Sequence, residues 1–479
     1  MKLKDIIENV DVVKTYGETD IEICHITNNS RECKEGTLFV AVRGFQTDGH
    51  KYIPSAVENG AVAILCEEYI PDVCCTQIIV SDSRRFEAVA ASNFYGNPSA
   101  KLKLIGVTGT NGKTTVTYLV KHILEECGYK VALIGTNQNM IGDKIIETGR
   151  TTPDSIELQS LFARMVDEKA QFCVMEVSSH ALELDRVYGC RYSVGAFTNL
   201  TQDHLDFHKT MENYAKAKFK LFEMSDGAVI NGDDSCGAEY IAKSPCKTLG
   251  FGVKNHDNNL LAENIKYSSK GVTFDLGSVS YSLAIPGEFS VYNALCAIGI
   301  AKLAGIDDEK ISKALSGATG VKGRAEVVLT DTDYTVIIDY AHTPDGIENI
   351  LKAVRTFTEG KLTIVFGCGG DRDSTKRPIM GRVAGELADF CVVTSDNPRT
   401  ENPSDIIKMV EEGVKESGCD YTVIESRKDA IAYALDNGKK GDVIVLAGKG
   451  HETYQILNTG TIHFDEREVV REILSSRGK

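Results

Sequence analysis

The stretch KLKLIGVTGTNGKTTVTYLVKHILEECG, residues 101–128, constrains the fold more than any other part of the chain. It begins as a short apolar run, passes through a glycine-rich turn and becomes helical in its periodicity. Val116, Leu119, Val120, Ile123 and Leu124 fall on one helical face, and Gly128 marks the stop. A strand, glycine turn and helix in that order open a parallel α/β unit. The turn also carries chemistry. Its glycines let backbone N–H groups converge on phosphates, Lys113 adds a cation, and Thr114 can ligate magnesium. The match to G-x-x-x-x-G-K-T is not strict, because position 107 is valine and the inner glycine falls at Gly109. The candidate phosphate contacts are therefore Gly109, Thr110, Asn111, Gly112, Lys113, Thr114 and Thr115, and the expected ligand is a nucleotide with Mg2+, against the plainer reading of a glycine-rich turn with an incidental lysine.

Three blocks are expected in 479 residues, a length too great for one core. Residues 1–100 carry short strands (GTLFVAV, AVAILCE, TQIIVSD) and close on the linker-like YGNPSAK, which predicts a smaller N-terminal α/β domain. Residues 101–325 alternate strands such as FCVMEV, YSVGAFTNL and GAVING with helices, predicting a central parallel α/β sheet of P-loop type. Residues 326–479 predict a third, Rossmann-like parallel sheet with strands in TVIIDYAH, KLTIVFGCGGDRD, FCVVTSDNPR, YTVIES and DVIVLAGKGHE. Four of these five run straight into polar loops, and ligands of open α/β sheets sit beyond the carboxyl ends of strands.

A net charge of −15 argues against nucleic acid or an anionic membrane as partner. Small anions stay possible, since loops and helix N-termini bind them locally. No apolar run approaches ~20 residues, and the N-terminus lacks a signal-peptide core, so a cytoplasmic protein without membrane insertion is expected. The 14 cysteines are scattered without a C-x-x-C pair, which fits reduced thiols better than zinc or disulfides.

Several polar segments admit two readings. Glu176, ending the strand in VMEVSSHAL, could hold a metal facing the phosphate loop or simply cap the next element. Asp203, His204, Asp206 and His208 precede a helix bearing Lys216, Lys218 and Lys220; a solvated acidic loop with a basic helix face is the plain alternative. Arg372 in GGDRD and Arg399 in DNPR are either surface ion pairs or forks for a carboxylate.

Taken together, these segments resemble the Mur ligase family, the ATP-dependent amide-forming enzymes of peptidoglycan assembly, and the likeness spans nearly the whole chain. NSRECKEGTLFVAVRGFQTDGHKYI resembles its uridine-nucleotide module; GVTGTNGKTT, TTPDS, MEVSSHALELDR and AKFKLF its ATPase domain; GRAEVV, DYAHTPD, DNPRTENP and AGKGHE its C-terminal domain. Within the family the match is to members adding the third residue of the stem peptide. The resemblance implies that Lys218 is carbamylated and that it joins Thr114, Glu176 and His204 around the metal, with Lys113, Glu176, His204 and Lys218 catalytic. It implies contacts to UDP-N-acetylmuramoyl-L-alanyl-D-glutamate from Ser30, Phe45, Gln46, Thr47, Thr151, Thr152, Ser178, Leu184 and Arg186. Asn293, Arg324 and Asp339 would lie near ATP. The form DNPR, Asp396, Asn397, Pro398 and Arg399, is the one associated with meso-diaminopimelate, with Arg372, Gly448 and Glu452 completing that pocket; Asp396 and Asn397 would face the distal ammonium. The same reaction with L-lysine is the alternative, and a monomer is expected. Leu184 stands where some members carry a polar residue, and Lys209 replaces a frequent glycine.

Overall fold

The computed structural model describes residues 1–44, 47–147, 149–268, 270–318 and 320–477. It divides into two compact units, one formed by Met1–Gly250 with Gly299–Ile306, the other by Phe251–Ile298 with Asp307–Lys479.

The first unit holds two sheets. The smaller orders its strands Val12–Tyr16, Thr76–Val80, Ala61–Cys66, Thr37–Val40 and His25–Thr27. All pairs are parallel except that of the edge strand Val12–Tyr16. In the larger sheet Gly227–Asn231, Tyr192–Phe197, Lys103–Thr108, Phe172–Glu176 and Val131–Ile134 lie side by side and parallel. The short strands Asn139–Ile141 and Lys144–Ile146 then continue it antiparallel. The strand Lys103–Thr108 is buried from Leu104 onward, which is why its sequence is an unbroken apolar run rather than an alternating one. The helix Lys113–Glu126 packs Val116, Leu119, Val120, Ile123 and Leu124 at 0–1% exposure. Each such side chain contributes roughly 1.5–3 kcal/mol of burial. Gly128 ends it with φ +85°, a left-handed conformation that suits glycine.

The second unit contains a six-stranded sheet in the order Glu326–Val328, Thr335–Asp339, Val443–Ala447, Leu362–Phe366, Phe390–Val393 and Tyr421–Val423. Only Glu326–Val328 runs antiparallel. The expected sheets are thus present, but mixed at their edges rather than purely parallel. An antiparallel trio, Glu263–Ser268, Gly271–Leu276 and Val279–Leu283, was not among the expected elements. Helices start where their caps dictate. Thr343 accepts from Gly346 N ahead of Pro344–Arg355, and Asn402 from Ser404 N ahead of Pro403–Ser417; both carry proline in the first turn. No helix among the described residues is long and apolar enough to cross a membrane.

Candidate active site

In the first unit the turn after Lys103–Thr108 is shaped by two glycines. Gly109 has φ +146° and lies so near Thr198 that a methyl would collide with its Oγ1; Gly112 has φ +86° and caps the helix. The loop is held from outside: Asn111 N donates to Asn199 Oδ1 at 2.9 Å and Thr198 Oγ1 to Asn111 O at 2.5 Å. Lys113 Nζ folds back onto the carbonyls of Gly109 (3.0 Å) and Thr110 (2.8 Å).

Two of the candidate metal-site residues, Glu176 and Lys218, meet the loop directly, and His204 lies one residue further out. Glu176 ends the neighbouring strand, and its Oε1 accepts from Thr114 Oγ1 at 3.0 Å and Thr136 N at 2.9 Å. Its Oε2 accepts from Thr136 Oγ1 at 3.0 Å. Gly135 makes room for this carboxylate, because a Cβ there would sit 2.5 Å from Oε1. Lys218, on the helix Met211–Glu223, is 1% exposed and donates to Gly109 O at 2.8 Å. Burial, then the nearby Lys113 cation, pushes its amine well below the usual lysine range. His204 takes a left-handed φ of +53°, stacks edge-on with His180 at 4.8 Å and faces Tyr214, whose hydroxyl lies 3.2 Å from Thr110 Oγ1. Among the described residues no three His, Cys, Asp or Glu side chains form a metal-holding set. The oxygens of Thr114 and Glu176 are hard donors that fit Mg2+. An ammonium at Lys218 does not; a carbamate there would.

The remaining first-unit candidates fall into separate groups. Thr152 and Ser178 share hydrogen bonds, with Ser178 N donating to Thr152 Oγ1 at 3.1 Å, and Arg186 Nη1 donating to Thr152 O at 3.1 Å. Thr151 Oγ1 lies 3.0 Å from Thr136 Oγ1, which ties this group to Glu176. Leu184 caps the short helix Ser179–Glu183. Ser30 sits in the turn Ser30–Glu32, its carbonyl accepting from Asn59 Nδ2 at 3.0 Å, and Thr47 Oγ1 lies 3.2 Å from the Tyr52 hydroxyl. Phe45 and Gln46 lie outside the described residues.

In the second unit four loops at the carboxyl ends of the strands converge on one cavity of about 230 Å³. Arg372, Asp396, Asn397, Arg399, Gly448 and Glu452 all line it, together with Tyr340, His342 and Lys376. Pro398 does not line it; its carbonyl instead packs against Gly370. Arg399 donates from Nη1 to Gly370 O at 2.8 Å, and Arg372 to Asp371 O at 2.9 Å. Among the described residues neither guanidinium has a carboxylate at ion-pair distance. That sets them apart from Arg377, which is buried and grips both oxygens of Glu401 at 2.8 and 2.9 Å. Gly448, at φ +115°, leaves space for Asp396, since a Cβ there would lie 2.6 Å from Oδ2.

Asn397 lines the cavity with its amide bonded on both sides. Its Oδ1 already accepts from Lys449 Nζ at 3.1 Å and Ile456 N at 3.0 Å, and its Nδ2 donates to Glu452 Oε2 at 2.9 Å. The carboxylates of this wall are Asp396 and Glu452, and the Asn397 oxygen is taken up by Lys449 and Ile456. Lys449, missed from sequence because an isolated lysine reads as a surface residue, is completely buried. Beneath Asp396 lies a second pair that sequence did not show, Arg427 with Glu466 at 2.8 Å, both buried. Elsewhere in this unit Arg324 stacks over the Tyr340 ring at 4.8 Å, with its Nε buried and unpartnered. Asp339 accepts from Ala325 N and Ala341 N; burial raises its carboxyl and Arg324 offsets part of that rise. Asn293 is buried in the helix Glu288–Leu303.

Comparison with known proteins returns three domain descriptions: "Mur ligase family, catalytic domain" over residues 22–95, "Mur ligase middle domain" over 107–301, and "Mur ligase, glutamate ligase domain" over 323–450. The chain is 54% identical to a UDP-N-acetylmuramoyl-L-alanyl-D-glutamate--2,6-diaminopimelate ligase of Clostridium botulinum, covering 95% of this chain and 96% of that one. It is 51% identical to the protein of the same name from Caldanaerobacter subterraneus, covering all of both. A solved structure of a ligase of that name superposes with a TM-score of 0.74 at 31% identity, over 100% of this chain and 99% of that one. MurF ligase of Thermotoga maritima in complex with ADP shares the fold, at a TM-score of 0.60 and 19% identity over 94% of this chain and 97% of that one.

Proposed function

Because the chain belongs to the Mur ligase family, we propose that it is the ATP-dependent ligase that adds meso-diaminopimelate to the D-glutamyl γ-carboxylate of UDP-N-acetylmuramoyl-L-alanyl-D-glutamate. This is a step of peptidoglycan precursor synthesis in the cytoplasm. The observation that carries the reading is the cavity of the second unit. Two guanidiniums without carboxylate partners among the described residues, Arg372 and Arg399, share it with the carboxylates Asp396 and Glu452. That is a receptor for a zwitterionic amino-acid end, and diaminopimelate has one at its distal terminus where L-lysine has only an ammonium. Bidentate carboxylate recognition is what arginine does and lysine does not.

Three parts divide the work: residues 1–100 for the uridine nucleotide, 101–325 for ATP, and 326–479 for the incoming amino acid. Ser30, Phe45, Gln46 and Thr47 hold the nucleotide; Thr151, Thr152, Ser178, Leu184 and Arg186 hold the muramoyl-dipeptide. Asn293, Arg324 and Asp339 contact ATP.

A carboxylate resists attack by an amine because resonance and charge stabilise it. Transfer of the ATP γ-phosphoryl to the D-glutamyl carboxylate gives an acyl phosphate and ADP. The amine of diaminopimelate then adds to its carbonyl, and the tetrahedral adduct expels phosphate as the amide forms and the amine loses its proton. The first step brings two anions together. Amides of Gly109–Thr115 orient the phosphates, and Lys113 leaves its carbonyl partners to neutralise them. Mg2+, when bound, supplies further positive charge at the phosphates, held by Thr114, Glu176, His204 and the carbamate of Lys218. The carbamate arises by addition of the Lys218 amine to CO2 with loss of a proton, exchanging a cation for an oxygen donor.

The test is turnover of UDP-N-acetylmuramoyl-L-alanyl-D-glutamate with ATP and Mg2+, given meso-diaminopimelate or L-lysine, read as phosphate release and product mass. Equal turnover of both amino acids would overturn the selectivity, and turnover with neither would overturn the assignment as a ligase.

A further inference from the structure

A completely buried lysine must be matched by acceptors, and Lys449 is matched by a particular set. Its Nζ donates to Asn397 Oδ1 and to Glu452 Oε2, both at 3.1 Å, and lies 3.7 Å from Asp396 Oδ1. All three recipients line the cavity, whereas Lys449 itself does not. The lysine therefore stands behind the site and acts through residues in front of it.

The hydrogen-bond chemistry fixes what it does there. Ile456 N–H and the Lys449 ammonium can only donate, so the Asn397 atom facing both is its oxygen. The Asn397 amide is then compelled to present Nδ2 to Glu452, which it does at 2.9 Å. Glu452 Oε2 thus receives two donors, Asn397 Nδ2 and Lys449 Nζ. Its Oε1 has no protein partner among the described residues and is left to accept from a ligand. The strand Tyr454–Leu457, paired with Gly460–His463, adds two further ties to this loop: Gln455 Nε2 donates to Asp396 O at 2.6 Å, and Arg399 N to Ile456 O at 3.1 Å. One ammonium thereby sets the orientation of Glu452, the carboxylate left open to an incoming ammonium, and of Asn397 beside it.

Building on the ligase reading above, we infer that Lys449 is a positioning residue for the added amino acid: it aims Glu452 and locks Asn397, and so governs binding of diaminopimelate but not of ATP or the nucleotide substrate. Removing it leaves Glu452 free to swing and Asn397 free to flip. A purely structural pin would instead depress every parameter together.

Lys449→Met, which keeps the length and removes the charge, should raise KM for diaminopimelate by about 10- to 100-fold, the worth of a charge-assisted buried hydrogen bond. KM for ATP and for UDP-N-acetylmuramoyl-L-alanyl-D-glutamate should stay within about twofold of the parent. In an Asn397→Ala background the same substitution should cost much less, because the two residues act in one chain. Lys449→Gln, which still donates to Asn397 Oδ1, should recover part of the loss; it also carries the test if the methionine variant does not fold. Equal changes in all three KM values, additive costs with Asn397→Ala, or loss of the fold in both variants would each overturn the inference. An inactive parent enzyme would instead overturn the underlying ligase assignment, so the two failures are separable.

Discussion

Arg399→Lys isolates the carboxylate fork from everything else at its position. Arg399 adopts a left-handed φ of +54°, a conformation that lysine and arginine find equally unfavourable. Its backbone N–H, bonded to Ile456 O, survives the change. One Nη1 bond to Gly370 O, at 2.8 Å, holds the head group toward the cavity and leaves the other guanidinium donors for a ligand. A lysine keeps the positive charge but presents a single point instead of two parallel N–H groups. The loss is one charge-assisted hydrogen bond, about 1.5–3 kcal/mol, or about 10- to 150-fold in KM for diaminopimelate. The assay is initial-rate phosphate release with diaminopimelate varied and the other substrates saturating, repeated with ATP varied. L-lysine lacks the carboxylate, so its weak turnover should hardly change, and the preference for diaminopimelate should fall by the same factor. A rise in KM below about threefold, or an equal rise for ATP, would refute the fork.

Other outcomes follow from separate features. Gly109→Ala should abolish ATP binding, because φ +146° and the Thr198 hydroxyl leave no place for a methyl; retained nucleotide affinity by calorimetry would contradict the loop geometry. Lys209 occupies a tight turn, φ +67° and ψ −40°, closed by Thr210 N donating to His208 O at 2.9 Å. Lys209→Gly should relieve that strain and stabilise the chain by about 1 kcal/mol, seen as a later urea midpoint; an earlier midpoint would remove the strain. Glu87 is buried, and burial pushes its carboxyl from 4.5 up to about 7, with Asn28 Nδ2, at 2.8 Å, partly offsetting the rise. The folded chain therefore holds a proton that the unfolded chain releases, so this group's contribution falls as pH rises from 4.5 to about 7 and stays low above. Glu87→Gln should flatten that slope in denaturation midpoints taken across the interval; an unchanged slope would place the titration elsewhere.

Strands buried on both faces were the easiest part of the architecture to read. Val443–Ala447 and Ala61–Cys66 are short apolar runs bounded by turn residues, and nothing else suits such runs in an alternating chain. Glu263–Ser268 escaped notice because none of its residues is buried, and Ile265 and Tyr267 alone are too few apolar positions to mark a strand. Edge strands such as Glu326–Val328 are three residues long, too short for periodicity to register. The phosphate loop and the loop arginines were legible because local order alone places them after strands. Lys449 and the Arg427–Glu466 pair were not. Their burial depends on which distant carboxylates the fold delivers, and a single sequence carries no record of that pairing. The Asn397 amide shows the same limit, since its oxygen is claimed by a lysine 52 positions away.

The grip of Arg377 on Glu401 has a consequence for how such a site can diversify. Glu401 also accepts from Asp371 N at 2.5 Å, so this one carboxylate ties the loop after Leu362–Phe366 to the loop after Phe390–Val393. Neither Glu401 nor the Asp371 amide contributes to the cavity wall. Arg377 does reach that wall, so the tie runs from the edge of the cavity back into the frame that spaces the two loops. Exchanges at position 399 can retune which amino acid is accepted while this tie stays put, whereas Asp396 and Asn397 also answer the buried Lys449 and are not free to vary alone.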